Sequence, residues 1–145
     1  MMHTGNGFPI ICVDTPDGLA QAVQACRSRE RVAIDTEFMR VRTFFAQAAL
    51  FQLCDGSSCW LIDPVAVAEL SPLAELLRDR RVLKLMHSCS EDLEVCERRL
   101  GALPEPLLDT QVLAAFCGLG LSIGYQRALA ELLDVQLPKS ETRTD

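Results

Sequence analysis

Short apolar runs bounded by turn residues fill the stretch from Arg31 to Pro64, and helical spacings dominate much of the chain beyond it. Thr15-Pro16-Asp17 predicts a helix start, with Thr15 as cap, Pro16 in the first turn, and Leu19, Val23 and Cys26 on one face. Residues 31–38 (RVAIDTEF), 48–54 (AALFQLC) and 58–62 (SCWLI) predict three strands. Asp55-Gly56 is a tight-turn signal between the second and third, so the three read as an antiparallel meander. Beyond Asp63-Pro64 the pattern changes. Ser71-Pro72 predicts a cap and a helix to about residue 78 with Leu73, Leu76 and Leu77 inward, and residues 82–87 (VLKLMH) predict a fourth strand. Ser88-Cys89-Ser90-Glu91 fits a capping box ahead of a helix that Gly101 stops. Residues 107–109 predict a brief fifth strand, and helices follow at 110–117 and 125–133. A meander followed by alternating strands and helices predicts one α/β domain: a mixed five-stranded sheet, antiparallel then parallel, with helices on both faces.

Candidate chemistry sits on these elements. Residues two apart on a strand share a face, so Asp35 and Glu37 project together while Ile34 and Thr36 point the other way. Like charges side by side repel, and a cation between them relieves the cost. Spacing alone also fits a plainer reading, two acids simply exposed at a strand end. Asp92 lies in the first turn of its helix, where the helix dipole favours acids whatever their role. If the fourth strand lies beside the first, Asp92 reaches the same sheet edge as Asp35 and Glu37. Three carboxylates gathered with no Lys on their own elements suit Mg²⁺ or Mn²⁺, which take hard oxygen ligands.

Composition narrows the partners. A chain of 145 residues with 49% hydrophobic and 23% charged positions belongs to a packed globular protein. Its net charge of −6 and pI near 4.9 argue against passive coating of nucleic acid by a basic surface. They leave room for an acidic site that recruits divalent cations. Seven cysteines, no C-x-x-C pair and two histidines argue against zinc, and the thiols read as free in a reducing cytosol, although Cys54 and Cys59 flank the tight turn. The glycines at 118, 120 and 124 do not form G-x-G-x-x-G, so no nucleotide cofactor is expected. No apolar run reaches the roughly 18 residues of a membrane span and no leader opens the chain, which predicts a cytoplasmic protein. Residues 38–45 mix aromatics with cations, and Phe38, Arg40 and Arg42 suit an unpaired terminal base and its phosphates. A hairpin whose Phe side chains enter the core fits the same run. Arg78, Arg80 and Arg81 read as a solvated turn.

Four segments in order carry a resemblance: IDTEF at 34–38, HSCSEDLEV at 87–95, LLDTQVLAAF at 107–116, and the glycine-punctuated tail at 118–145. Together they resemble the ribonuclease D branch of the DEDD 3′→5′ exonucleases. The resemblance implies a ribonuclease H-like sheet and hydrolysis of RNA 3′ ends, including tRNA precursors, by two Mg²⁺ or Mn²⁺ ions. It gives Asp35, Glu37 and Asp92 the places of the first three acidic ligands: Asp35 bridging both ions, Glu37 on the ion that holds the attacking water, and Asp92 steadying the other. His87 also resembles a family position, as a substrate contact or a structural hydrogen bond. The family's third motif, a Tyr followed four residues later by an Asp, has no counterpart here: position 129, four beyond Tyr125, is Leu. Residues 1–145 are therefore expected to be a C-terminally truncated exonuclease domain, inactive alone, and either self-associating or ending in a mobile tail. Two other readings fit the residues, a non-catalytic nucleic-acid-binding module on the same fold and a DNA-directed exonuclease. The metal-site reading requires Asp35, Glu37 and Asp92 to meet in one cleft, and Asp92 on the far side of the sheet would end it.

Overall fold

Residues 31–39 build the central strand because their apolar positions alternate: Val32, Ile34 and Thr36 are buried, while Arg31, Ala33, Asp35 and Glu37 face out. The computed structural model describes residues 2–3, 7–42 and 44–137. Among these, the elements are β1 (Met2–His3), β2 (Pro9–Val13), α1 (Pro16–Arg27), β3 (Arg31–Met39), β4 (Gln47–Cys54) and β5 (Cys59–Ile62), then α2 (Ser71–Arg78), β6 (Leu83–Met86), α3 (Ser90–Leu100), β7 (Leu107–Asp109), α4 (Thr110–Phe116) and α5 (Tyr125–Leu133). The sheet order is β1-β2-β5-β4-β3-β6-β7. β3, β4 and β5 form the expected antiparallel meander, and β6 and β7 add in parallel beside β3.

The sheet has two strands more than the five expected. Pro9–Val13 pairs in parallel with β5, Ile10 opposite Cys59, and β1 pairs antiparallel with β2. Without β2, the outer edge of β5 would leave a row of unpaired amides and carbonyls. That partnership joins positions almost fifty residues apart, so no local pattern announces it.

The turns hold as their residues dictate. Asp55 accepts hydrogen bonds from the amides of Ser57 and Ser58 at 2.7 and 2.8 Å and from the Trp60 indole at 3.1 Å. Gly56 sits at φ 87°, where a side chain would be strained. Thr15 caps α1 through the Gly18 amide at 3.1 Å, and Gly101 ends α3 in the left-handed conformation. Two caps differ from expectation. Ser71 lies inside α2, whose cap is Leu70, and its amide donates to Glu69. The capping box at 88–91 is not formed: α3 has no side-chain cap of its own, and Ser88 adopts φ 54°. The Asp109 carboxylate at the end of β7 instead accepts from the amides of Ser88 and Cys89, just ahead of the helix.

Helices α1, α2 and α3 cover one face of the sheet, and the main core lies there: Leu19, Val32, Phe51, Leu53, Ile62, Leu73, Leu76, Leu77 and Val82 are all buried. Lys84 is buried with them, its ammonium bonded to the carbonyls of Asp79 at 2.6 Å and Glu105 at 3.0 Å. The opposite face stays open over a groove of about 560 Å³, with Thr110 and Tyr125 on one wall. α4 and α5 share a small separate cluster of Ala114, Ile123 and Ala128. No helix of the described residues is long and apolar enough to cross a membrane. The tail expected to be mobile falls at 138–145, outside the described residues.

Phe51 is the test of this core, because it is 1% exposed and sits opposite Thr36 on the strand next to the site. Phe51→Ala is expected to lower stability by about 3–5 kcal/mol, read as a drop in the denaturant midpoint at unchanged slope. A loss below about 1 kcal/mol would show that the site's strand pair does not depend on this packing.

Candidate active site

Asp35 and Glu37 project from β3 toward solvent, and Asp92 reaches the same strand from the first turn of α3. The link is Thr36, which stands between the two strand acids and faces the helices. Its amide donates to Asp92 Oδ1 at 3.2 Å, and its hydroxyl donates to the same oxygen over a shorter distance. β6 pairs with β3 only from Arg31 to Ala33, so beyond that point the β3 amides lack a strand partner on this side and are free to meet Asp92. Glu37 receives the Gln52 side-chain amide from β4 at 3.4 Å. Just past it, the β3–β4 register shifts between Glu37 and Phe38, a bulge of the kind found beside active sites.

Electrostatics distinguish these acids from surface carboxylates. Burial pushes Asp35 above the usual carboxylate range; a backbone hydrogen bond at Thr36 opposes it, and the Glu37 charge adds to it. Burial likewise raises Asp92 against the Thr36 hydroxyl bond, and the negative charge of Asp35 raises it further. Asp35 thus feels both other acids, across what would otherwise be two faces of the strand. None of the ion pairs among the described residues involves Asp35, Glu37 or Asp92. A divalent cation would supply the missing positive charge, and three carboxylates are the donor set hard cations take. The chelate is not drawn closed. Among the described residues no three His, Cys, Asp or Glu side chains are grouped tightly enough to hold an ion by themselves, and one oxygen of Asp92 is already engaged by Thr36.

The residues expected at the substrate are spread around this centre. Phe38 is half-buried against the main core. Arg40 bonds the Phe44 carbonyl at 2.9 Å and pairs with Glu91 and Glu94 at 3.3 and 3.6 Å, which pins the loop after β3 to α3. Arg42 is exposed with φ 56°. In the same loop Phe44 is 85% exposed, and Phe45 lies under the Arg98 guanidinium, 3.1 Å from its ring centroid. His87 lines the groove with Asp35 and Tyr125. Its Nε2 donates to the Ile123 carbonyl at 2.9 Å, its Nδ1 lies 2.8 Å from the Thr110 hydroxyl, and its ring meets the edge of Tyr125. His87 therefore ties the segment before α5 to the end of β6.

Three residues that hold the site escaped the sequence reading. Thr36 looked like an inward strand position, and nothing local shows that a carboxylate 56 residues away would meet it. Gln52 stands opposite Asp35 in the β3–β4 register and reaches diagonally to Glu37. Asp109 anchors the start of α3, accepting from Ser88 at 2.9 Å and Cys89 at 3.0 Å, and it caps α4 through Gln111 at 2.8 Å. A D-T-Q triplet at a strand end was visible, and its reach back to α3 was not.

Known proteins resemble this chain in sequence and fold. The profile of the 3′-5′ exonuclease family matches residues 10–145. Ribonuclease D of Pseudomonas paraeruginosa is 53% identical over 127 residues, which is 88% of this chain and 34% of that protein. The crystal structure of Escherichia coli RNase D, described as an exoribonuclease involved in structured RNA processing, has 44% identity and a TM-score of 0.88 over 100% of this chain and 37% of its own. Trypanosoma brucei RNase D in complex with RNA U12 shares the fold, with 24% identity and a TM-score of 0.81 over 90% of this chain and 48% of its own. The chain spans about a third of the length of the curated relatives it matches.

Asp109 yields a pH test of the scaffold beneath Asp92. Burial alone would raise its carboxyl, but hydrogen bonds from the amides of Cys89 and Ser88, the Cys89 thiol and the Gln111 amide hold it down at about 2. A depressed carboxylate stabilises the fold fully above its unfolded pKa and loses that contribution as pH falls toward its folded value. Asp109→Asn is therefore expected to unfold at lower urea than the parent at neutral pH, with the gap closing as pH falls from about 4 toward 2. A gap that stays constant across that range would remove the charge from the explanation.

Proposed function

The chain belongs to the 3′-5′ exonuclease family, in its ribonuclease D branch, and from that membership we propose that it is the front part of an exoribonuclease domain that removes nucleotides from single-stranded RNA 3′ ends. The observation that carries the reading is the Thr36 clamp, which brings Asp92 from α3 to the strand that presents Asp35 and Glu37. Two divalent cations, Mg²⁺ or Mn²⁺, would when bound activate a water and stabilise the departing 3′ oxygen. Asp35 and Glu37, whose side chains project outward from β3, would hold these ions. Asp92, one oxygen of which is engaged by Thr36, would add its negative charge at the inner side of the site. Gln52 steadies Glu37, and Asp109 fixes the helix start that carries Asp92.

RNA as substrate is supported by the name of the relatives and by the RNA bound to the Trypanosoma brucei protein. Structured transcripts such as tRNA precursors, acted on in the cytoplasm, are the substrates this reading favours. Phe38, Arg40, Arg42 and His87 belong to the substrate side of the proposal. His87 lines the groove that Asp35 borders, Phe38 packs against the main core directly after Glu37, and Arg40 and Arg42 shape the loop that follows. The 145-residue chain also associates with itself, because Val112, Phe116, Leu121 and Leu132 are all more than half exposed on and around α4 and α5. A monodisperse monomer in sedimentation would refute that association.

The activity test separates binding from hydrolysis. Residues 1–145 carry three of the four acidic ligands and no Tyr–Asp motif, and residues that act as one catalytic unit fail together. The chain alone is expected to bind Mn²⁺ weakly and to leave a single-stranded RNA 3′ end intact. Continued with the C-terminal part of the Pseudomonas paraeruginosa ribonuclease D, it is expected to release mononucleotides one at a time, and Asp35→Asn in that chimera should abolish release. Robust metal-dependent trimming by the 145-residue chain, or an Asp35→Asn chimera as active as its parent, would refute the assignment.

A further inference from the structure

The β4–β5 hairpin brings two thiols together on the floor of the open groove. Cys54 and Cys59 are direct partners across this antiparallel pair, and both are half-buried free thiols lining the groove that Asp35 borders. The Asp55 amide donates to the Ser58 carbonyl at 3.2 Å, so Asp55 and Ser58 form a hydrogen-bonded pair of the ladder. Cys54 and Cys59 then occupy the neighbouring non-hydrogen-bonded position. Opposite Cα atoms stand roughly 4.5 Å apart at such positions, with side chains on the same face. Disulfides span Cα separations of roughly 4.4–6.8 Å, so this position lies at the short end of their range. The two side chains are close enough for the Cys54 sulfur to raise the Cys59 thiol. The remaining cysteines have no such partner geometry: Cys26, Cys89 and Cys96 are buried, and Cys12 and Cys117 are exposed on separate parts of the chain.

We propose that Cys54 and Cys59 are a reversible thiol–disulfide site, bridged across the strands by exchange with a small disulfide of the glutathione class. One protein thiolate attacks the small disulfide, whose S–S bond breaks and releases one small thiolate. The second protein thiolate then attacks the protein sulfur of the mixed disulfide and expels the other. Two protein thiols are oxidised, one disulfide is reduced to two thiols, and both protons pass to the leaving thiolates. Burial, the Cys54 sulfur and the Asp55 carboxylate push the Cys59 thiol up to about 11, so exchange is slow at neutral pH and accelerates as pH rises. Only Asp55, Gly56, Ser57 and Ser58 separate the pair, so closing the loop removes little chain entropy and the bridge adds little stability. Its effect is local. Cys54 lies opposite Ala33 on β3 and two positions from Gln52, which bonds Glu37, so the bridge clasps the hairpin that steadies the acidic centre.

The test treats the native 145-residue chain with oxidised glutathione, blocks the remaining thiols and maps peptides by mass. The expected product links the Cys54 and Cys59 peptides and is lighter by two hydrogens. It forms several-fold faster near about pH 8 than about pH 7 and is reversed by dithiothreitol. Cys54→Ser and Cys59→Ser should each stop at one glutathione held on the remaining cysteine of the pair. The proposal is overturned if Cys54 and Cys59 stay fully alkylatable after Cys12 or Cys117 has been modified. It is equally overturned if the bridge forms only in urea-unfolded chain.

Discussion

Two hydrogen bonds from Thr36, one from its amide and one from its hydroxyl, converge on a single oxygen of Asp92 and join the central strand to the first turn of α3. Much of the site depends on that join. Asp92 is 7% exposed and burial disfavours its charge, a cost that the two Thr36 donors and a backbone hydrogen bond at Asp92 itself offset. Remove the Thr36 donors and a buried carboxylate is left short of compensation beside Asp35. Keep them and the strand gains an acid on a side where the alternation of side chains alone could not place one.

The same join explains why the two faces of the sheet differ. On the helix side, α1, α2 and α3 bury a continuous apolar core, and Thr36 and Asp92 are its polar margin. On the other side Asp35, Gln52, Cys54, Leu85 and His87 line an open groove. Paired charges and thiols are tolerable there because water reaches them, and their reactivity survives for the same reason. The acids that have no cationic partner stand where the two environments meet, which is where a divalent cation gains most from their field.

Support for Asp92 extends one shell further. The chain enters α3 through a left-handed Ser88, no capping box forms, and the amides of Ser88 and Cys89 just ahead of the helix are answered by Asp109 from β7. β7 is in place because it pairs in parallel with β6, whose buried Lys84 is held by the loop carbonyls of Asp79 and Glu105. A chain of local satisfactions thus runs from the loops around Asp79 and Glu105 to the acidic centre.

The amino-acid sequence by itself determined the meander, the helices and the pairing of Asp35 with Glu37, because these follow from periods of two and 3.6 residues and from turn chemistry at Asp55-Gly56 and Gly101. It also made Asp92 a candidate, since a helix start fed by a neighbouring parallel strand leads to the same sheet edge. Tertiary structure alone decided the rest. Lys84 faces inward although its strand offers Leu83 and Leu85 as apolar alternatives, because the face those leucines take is the groove floor and two carbonyls wait on the other. Pro9–Val13 became a strand only because β5 needed a partner. Thr36, Gln52 and Asp109 became positioning residues through hydrogen bonds across 15 to 56 residues of sequence. A hydrogen bond is satisfied by whatever donor the fold brings within about 3 Å, and which donor that is depends on packing rather than on local pattern.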